Sequence, residues 1–305
     1  MPKGARATRS RGTKRWAVLG LPAVWLVVAG CAPAGIKEAR SALRTNDLST
    51  ARELLERDRE RHPKSEEVRL TLGEVYYRSG RDALDWGSDE GRYLAYLEKS
   101  VDEFVVASEL DPENAQPHLY FAVMDVYRGD LDGALRGLRN ARRLSPGPVA
   151  DTNLAEVHIY RGELDEAKRW NQGAYLSGAG TPGVTFNQML IDWVEGDLPG
   201  AERNFEVLST RHPEMIRTIN VAPVPITPRS FEQFAGYCCG SPACGPYLEQ
   251  ACQGLGLEVT RREVSEETLL EELRVEMDRR RRLGEIYQQH RELEIEVESD
   301  PAKAP

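Results

Sequence analysis

Between residues 33 and 214, small and apolar residues recur at fixed distances from a short polar phrase that returns four times. The phrase reads Asn46-Asp47-Leu48-Ser49-Thr50-Ala51, Gly129-Asp130-Leu131-Asp132-Gly133-Ala134, Gly162-Glu163-Leu164-Asp165-Glu166-Ala167 and Gly196-Asp197-Leu198-Pro199-Gly200-Ala201. Gly or Asn tolerates positive φ at a helix end, and an acidic residue suits the next N-terminus, so each copy predicts one helix stopping and another starting. The last three copies are 33 and 34 residues apart, and the first gap of 83 holds about two such periods plus an insert. A small residue stands seven positions before the turn at Ala39, Gly73, Ala122 and Ala155, with Met189 as the departure. After the turn come Ala51, Ser100, Ala134, Ala167 and Ala201, then Leu55, Phe104, Leu138 and Phe205 four positions on, a row that Asn171 breaks. Pro63, Pro112, Pro146 and Pro213 end the second helices, with Ala179 in the fourth place. A period near 34 residues with this register predicts stacked helical hairpins.

This pattern resembles the tetratricopeptide repeat, with five copies over about three fifths of the chain. The resemblance implies an all-α solenoid that binds other proteins, its concave wall built by the first helix of each pair. By matching repeat positions, that wall includes Leu70, Tyr77, Leu119, Val123, Val126, Tyr127, Ile159, Tyr160, Phe186, Leu190 and Trp193. Leu70, Tyr77, Leu119, Val123, Tyr127, Tyr160, Phe186 and Trp193 are the candidate protein-binding residues, for an extended or helical peptide. Packing between neighbouring helices is the competing role for the same side chains. The second copy takes 20 residues from Gly80 to Ser100 where the first takes 5 from Asn46 to Ala51, so an insertion near 81–95 is expected to project as a solvated loop with a helical extension from Tyr93 through Leu97. Trp86 on it is a candidate partner contact.

The first thirty residues differ from the rest. Lys3, Arg6, Arg9, Arg11, Lys14 and Arg15 precede an apolar run from Trp16 to Ala29, a signal for export, too short for a spanning helix of about 20 residues. The run ends at Val28-Ala29-Gly30-Cys31, which resembles a bacterial lipoprotein box. By that resemblance residues 1–30 are removed and Cys31 carries the lipid, and Ala32 after it favours the outer membrane. Without the six basic residues of the signal, 34 basic residues face 49 acidic ones, a net charge of −15. Such a chain has no electrostatic reason to seek nucleic acid.

Residues 215–262 form a Pro- and Cys-rich module that starts with Pro223, Pro225 and Pro228 and an expected extended segment at 219–226. It carries Tyr237-Cys238-Cys239-Gly240-Ser241-Pro242-Ala243-Cys244-Gly245 and Cys252. Four cysteines within fifteen residues of an exported chain suggest two disulfides, each of Cys238 and Cys239 joining Cys244 or Cys252, since a bond between adjacent cysteines is strained. A four-thiolate zinc site and a thiol-redox pair are the alternatives. A helix capped by Ser265 follows over residues 263–298, with Leu269, Leu270, Leu273, Met277, Leu283, Ile286, Tyr287 and Leu293 at helical spacing. It is expected to cap the last repeat, or else to form a short coiled coil, with Arg279 to Arg282 on a solvated face and a disordered tail from residue 299. Catalytic motifs are missing, so no enzyme activity, cofactor or metal is expected. The expected function is that of a lipid-anchored periplasmic adaptor docking envelope proteins, similar in architecture to the repeat lipoproteins of type IV pilus assembly or gliding motility.

Overall fold

The computed structural model describes residues 34–87, 89–178, 181–216, 227–241, 245–261 and 263–299, of which 34, 85–87, 214 and 290–299 as backbone alone. Cys31, Cys244, the segment 219–226 and the side chain of Trp86 lie outside the described residues. Five hairpins follow one another: α1 (Ala34–Arg44) with α2 (Leu48–Arg61), α3 (Glu66–Gly87) with α4 (Glu90–Leu110), α5 (Gln116–Arg128) with α6 (Leu131–Leu144), α7 (Pro148–Tyr160) with α8 (Leu164–Ser177), and α9 (Pro182–Glu195) with α10 (Leu198–Arg211). A single 3-10 turn (Pro213–Met215), α11 (Phe231–Cys239), a second 3-10 turn (Gly245–Leu248), α12 (Glu249–Gly254) and α13 (Glu266–Ser299) complete the described elements. No strand occurs among the described residues.

The recurring phrase makes the turns. Asn46, Gly129, Gly162 and Gly196 have φ of 56°, 84°, 72° and 83°, the left-handed region that lets a helix stop without a clash. Asp47, Asp130 and Asp197 then cap α2, α6 and α10, each carboxylate accepting the N–H three residues on. Glu163 caps nothing with its side chain and instead bonds Arg161 and His158.

The small positions fix how closely the two helices of a hairpin approach. Ala51, Ser100, Ala134, Ala167 and Ala201 are fully buried. A Cβ on Gly73 would come within 2.6 Å of the Phe104 ring, so that position admits only hydrogen. Ser100 adds a hydrogen bond from its hydroxyl to the Gly73 carbonyl at 2.9 Å. Asn171, where the apolar row breaks, is buried and donates to the Val184 carbonyl, tying α8 to α9 with a polar link.

Two expectations are corrected. The insertion is a lengthening of both helices rather than a loop: α3 runs on to Gly87 and α4 starts at Glu90. The added turns bury Ala83, Leu84, Tyr93 and Leu97 against each other and neighbouring helices, and Asp89 caps α4 by accepting from Arg92 N–H. The C-terminal helix does not cap the last repeat. It lies along α4 and onto α5, with Val275, Leu283 and Ile286 in the apolar cluster of Tyr77, Leu97, Phe104 and Phe121. The Ser265 and Thr268 hydroxyls donate to Glu90 at the start of α4, while Arg274 and Arg282 reach Glu98 and Asp102 further along, so α13 and α4 run parallel. The last repeat is covered instead by α11 and α12, whose Phe231, Phe234, Ala235 and Cys252 share a core with Trp193, Phe205 and Leu208.

Candidate protein-binding groove

The first helices of four successive hairpins line an open groove of about 720 Å³. Tyr77 and Arg81 come from α3, Tyr120, Val123 and Tyr127 from α5, Val149, Asn153, Glu156 and Tyr160 from α7, and Phe186, Asn187 and Leu190 from α9. Met215, Phe234 and Cys238 close its far end. Val123 and Val149 leave 45% and 61% of their surface exposed, which is unusual for two β-branched apolar side chains on one concavity. Five of the eight candidate residues, Tyr77, Val123, Tyr127, Tyr160 and Phe186, are therefore in the groove lining.

The other three are not. Leu70 is buried among α4 and α5 residues, and Leu119 packs on the core formed by Ala122, Leu138 and Leu154. Trp193 is the largest correction: it is 2% exposed, its ring meets Phe231 edge-on at 5.5 Å, and its indole N–H donates to the Ala251 carbonyl at 3.2 Å. The chain's own C-terminal module has taken the surface that repeat register alone assigns to a partner.

Polarity is distributed unevenly across the groove. On the α3 side, Tyr120 donates to Glu74 at 3.0 Å, Arg78 pairs with Glu74 at 2.7 Å, and the Arg81 guanidinium lies over the Tyr127 ring at 4.7 Å. On the α7 side the Tyr160 hydroxyl donates to Glu156 at 2.7 Å; burial raises the pKa of the Glu156 carboxyl and pushes that of the Tyr160 phenol far up. Between them lies the apolar strip of Val123, Val126, Val149 and Val157. Among the described residues no cluster of histidine, cysteine or carboxylate side chains is placed to hold a metal.

Sequence reasoning missed Tyr247. It stands on the second 3-10 turn, stacks on Tyr160 with ring centroids 5.3 Å apart, and donates its hydroxyl to the Val126 carbonyl at 2.9 Å. The adjoining cysteines hold that turn: Cys239 and Cys252 form a disulfide with a Cα–Cα distance of 5.9 Å, and Cys238 is disulfide-bonded as well. Cys238, Cys239 and Cys252 are all buried.

A model of the tetratricopeptide repeat family matches residues 148–170, which span α7 and the start of α8. That segment is a tetratricopeptide repeat. The same hairpin recurs through all five described pairs, and the fold is a helical-hairpin solenoid of that type. No curated protein matches the sequence. Solved structures similar to this chain include TTC0263, a thermophilic TPR protein in Thermus thermophilus, at 25% identity over 52% of this chain and 80% of that one, with a TM-score of 0.46. PilW, a type IV pilus biogenesis factor, is similar at 15% identity over 77% and 96%, TM-score 0.45. Pseudomonas aeruginosa pilF is similar at 17% identity over 59% and 91%, TM-score 0.33.

Proposed function

We propose that this protein is a non-catalytic scaffold that docks a partner polypeptide in the groove of α3, α5, α7 and α9, held to the outer membrane on its periplasmic side by lipid on Cys31, as an adaptor in a cell-envelope machine of the pilus, secretion or gliding kind. The observation that carries the binding role is the exposure of Val123 and Val149 on an apolar, tyrosine-rimmed concavity. Apolar side chains left half open there gain by burial under a partner, about 25 cal/mol per Å². The anchoring role rests on the resemblance of Val28-Ala29-Gly30-Cys31 to a lipoprotein box. Thiol chemistry is disfavoured by the burial of Cys239 and Cys252, since exchange needs an accessible thiolate.

The binding role is tested with a photo-crosslinking residue at Val123 or Val149 in cells and mass spectrometry of the adduct, beside the double variant Val123→Asp, Val149→Asp. Capture of one envelope protein, lost in the double variant while helical circular dichroism is kept, is the expected result. Adducts at those positions that are no more specific than adducts from an exposed convex site such as Leu176 refute it. Anchorage is tested by labelled palmitate, expected on the wild type and lost in Cys31→Ser.

A further inference from the structure

The C-terminal helix α13 carries apolar residues on two faces, and the solenoid uses one. At about 100° per residue, the buried Thr268, Glu272, Val275, Glu276, Arg279 and Ile286 fall on one side of the helix. Leu269, Leu270, Leu273 and Met277 fall on the side turned away from it and are 48%, 60%, 51% and 70% exposed. The apolar surface continues onto α4 through Leu94, which borders Leu270 and Arg274 in a shallow depression. Four large apolar side chains within nine residues of one solvated helix face are a patch that a monomer rarely leaves open.

We infer that this face pairs with the same face of a second copy, the two α13 helices running antiparallel about a two-fold axis at Leu273. The charges at the ends of the stripe select this occupant and this direction. Glu266 lies seven residues before Leu273, and Arg280, which also bonds Glu276 and Asp130 of its own chain, lies seven after it; both are exposed on the same side of the helix. A two-fold at Leu273 therefore sets Glu266 of each copy beside Arg280 of the other, Leu269 beside Met277, and Leu273 beside itself. Parallel pairing sets Glu266 and Glu267 against their own copies, and Arg280 and Arg281 against theirs, which like-charge repulsion opposes. The stripe is about 12 Å long, so the interface is small against the roughly 800 Å² per partner of a stable complex, and the dimer is weak and concentration-dependent.

Single cysteines placed in the full chain, purified in detergent and exposed to mild oxidant, test the register. Leu273→Cys is expected to give a covalent dimer. Leu269→Cys and Met277→Cys are each expected to give at least tenfold less, because each position is then about 12 Å along the axis from its own copy, beyond disulfide reach. Mixing those two variants restores the dimer. Glu266→Arg is expected to raise the dissociation constant at least tenfold in sedimentation, and Glu266→Arg with Arg280→Glu to return it. Leu273→Ser, at an exposed site, keeps the fold and abolishes the dimer. Equal crosslinking at 269, 273 and 277 means parallel pairing, and a monomer at ~100 µM, well above micromolar affinity, means that the stripe serves another occupant or none; either result overturns the inference.

Discussion

The seam between α13 and the solenoid holds two titrating groups whose effects on stability oppose each other, so removing either should expose the other. Asp125 on α5 is 2% exposed and faces Arg279 and Glu276 of α13, Arg128 on its own helix and Asp130 beyond the turn. Burial outweighs the two arginines and pushes its pKa from 3.8 up to about 6. His118, about two turns earlier, is stacked on Tyr287 of α13 and hydrogen-bonded to its hydroxyl; burial, with Arg143 and Arg279 nearby, pushes the histidine from 6.5 down to about 4. Folded Asp125 keeps a proton that the unfolded chain has released, so its stabilisation is full below pH 3.8 and is lost as pH rises through about 6. Folded His118 refuses a proton that the unfolded chain takes up, so its stabilisation is full above pH 6.5 and is lost as pH falls through about 4. Each gap corresponds to about 3 kcal/mol, of opposite sign over the same interval. From pH 7 to pH 4 the pair therefore nearly cancels in the wild type. Asp125→Asn should lose stability by about 3 kcal/mol more than wild type on that acidification, and His118→Gln should gain by a similar amount. Urea unfolding followed by circular dichroism at half-unit pH steps gives the three curves, with the remaining carboxylates as a common background. Parallel curves for the two variants would refute the reasoning, because only divergence between them reports these two groups.

Trp193→Ala should cost about 3–5 kcal/mol, since the ring fills the core between α9 and α11 and its N–H has a partner in Ala251; an unchanged unfolding midpoint with lost partner binding would mean the ring is a docking residue after all. Asp197→Ala removes the cap of α10 and should cost about 1 kcal/mol, read as a lower midpoint, with Asp197→Asn nearly neutral. Cys239→Ser with Cys252→Ser opens a link between residues 13 apart and should cost about 3 kcal/mol, seen as faster proteolysis within 227–261 while the hairpins before it stay protected. Equal proteolysis of the hairpins would show the bond supporting the whole solenoid instead.

The solenoid was legible because its constraints are local and repeated. Positive φ at residues 129, 162 and 196, an acidic residue one position later that caps the next helix at 130 and 197, and an alanine with no room for more each leave few residue types, so the same letters return every 33 or 34 positions. The C-terminal half was not legible in that way. Arg279 belongs to a run of four arginines that reads as a solvated face, yet it is 6% exposed, bonds Asp125 across 154 residues of sequence and lies over the Phe121 ring at 4.7 Å. A charge buried by distant partners carries no local signature. The trace that was available is the alternation of four and three residues along 268, 272, 275, 279, 282 and 286, a seam with polar members. The groove was half legible: register supplied Val123, Tyr160 and Phe186, but Trp193, which repeat position also put on the wall, is buried like its equivalent Ile159, under a module more than thirty residues downstream.

That covering changes what the groove is. A solenoid hairpin contacts only its neighbours, so its curvature is set by small shifts between adjacent repeats. Here Tyr247 spans two of them, holding the Val126 carbonyl at the end of α5 and the Tyr160 ring at the end of α7, while Phe231 and Phe234 hold α9 and α10. At the other end α13 fastens α4 to α5 through Val275, Ile286 and the Asp125–Arg279 pair. The lengthened α3–α4 hairpin and the C-terminal helix then explain each other, because Tyr93 and Leu97 on the added turns are part of the apolar surface that α13 covers. Tyr247, Phe231 and Phe234 hold α5, α7 and α9, which line the groove, and α13 bonds α5 as well. The groove is therefore formed by the solenoid together with its C-terminal segment, which contributes Phe234 and Cys238 to the lining.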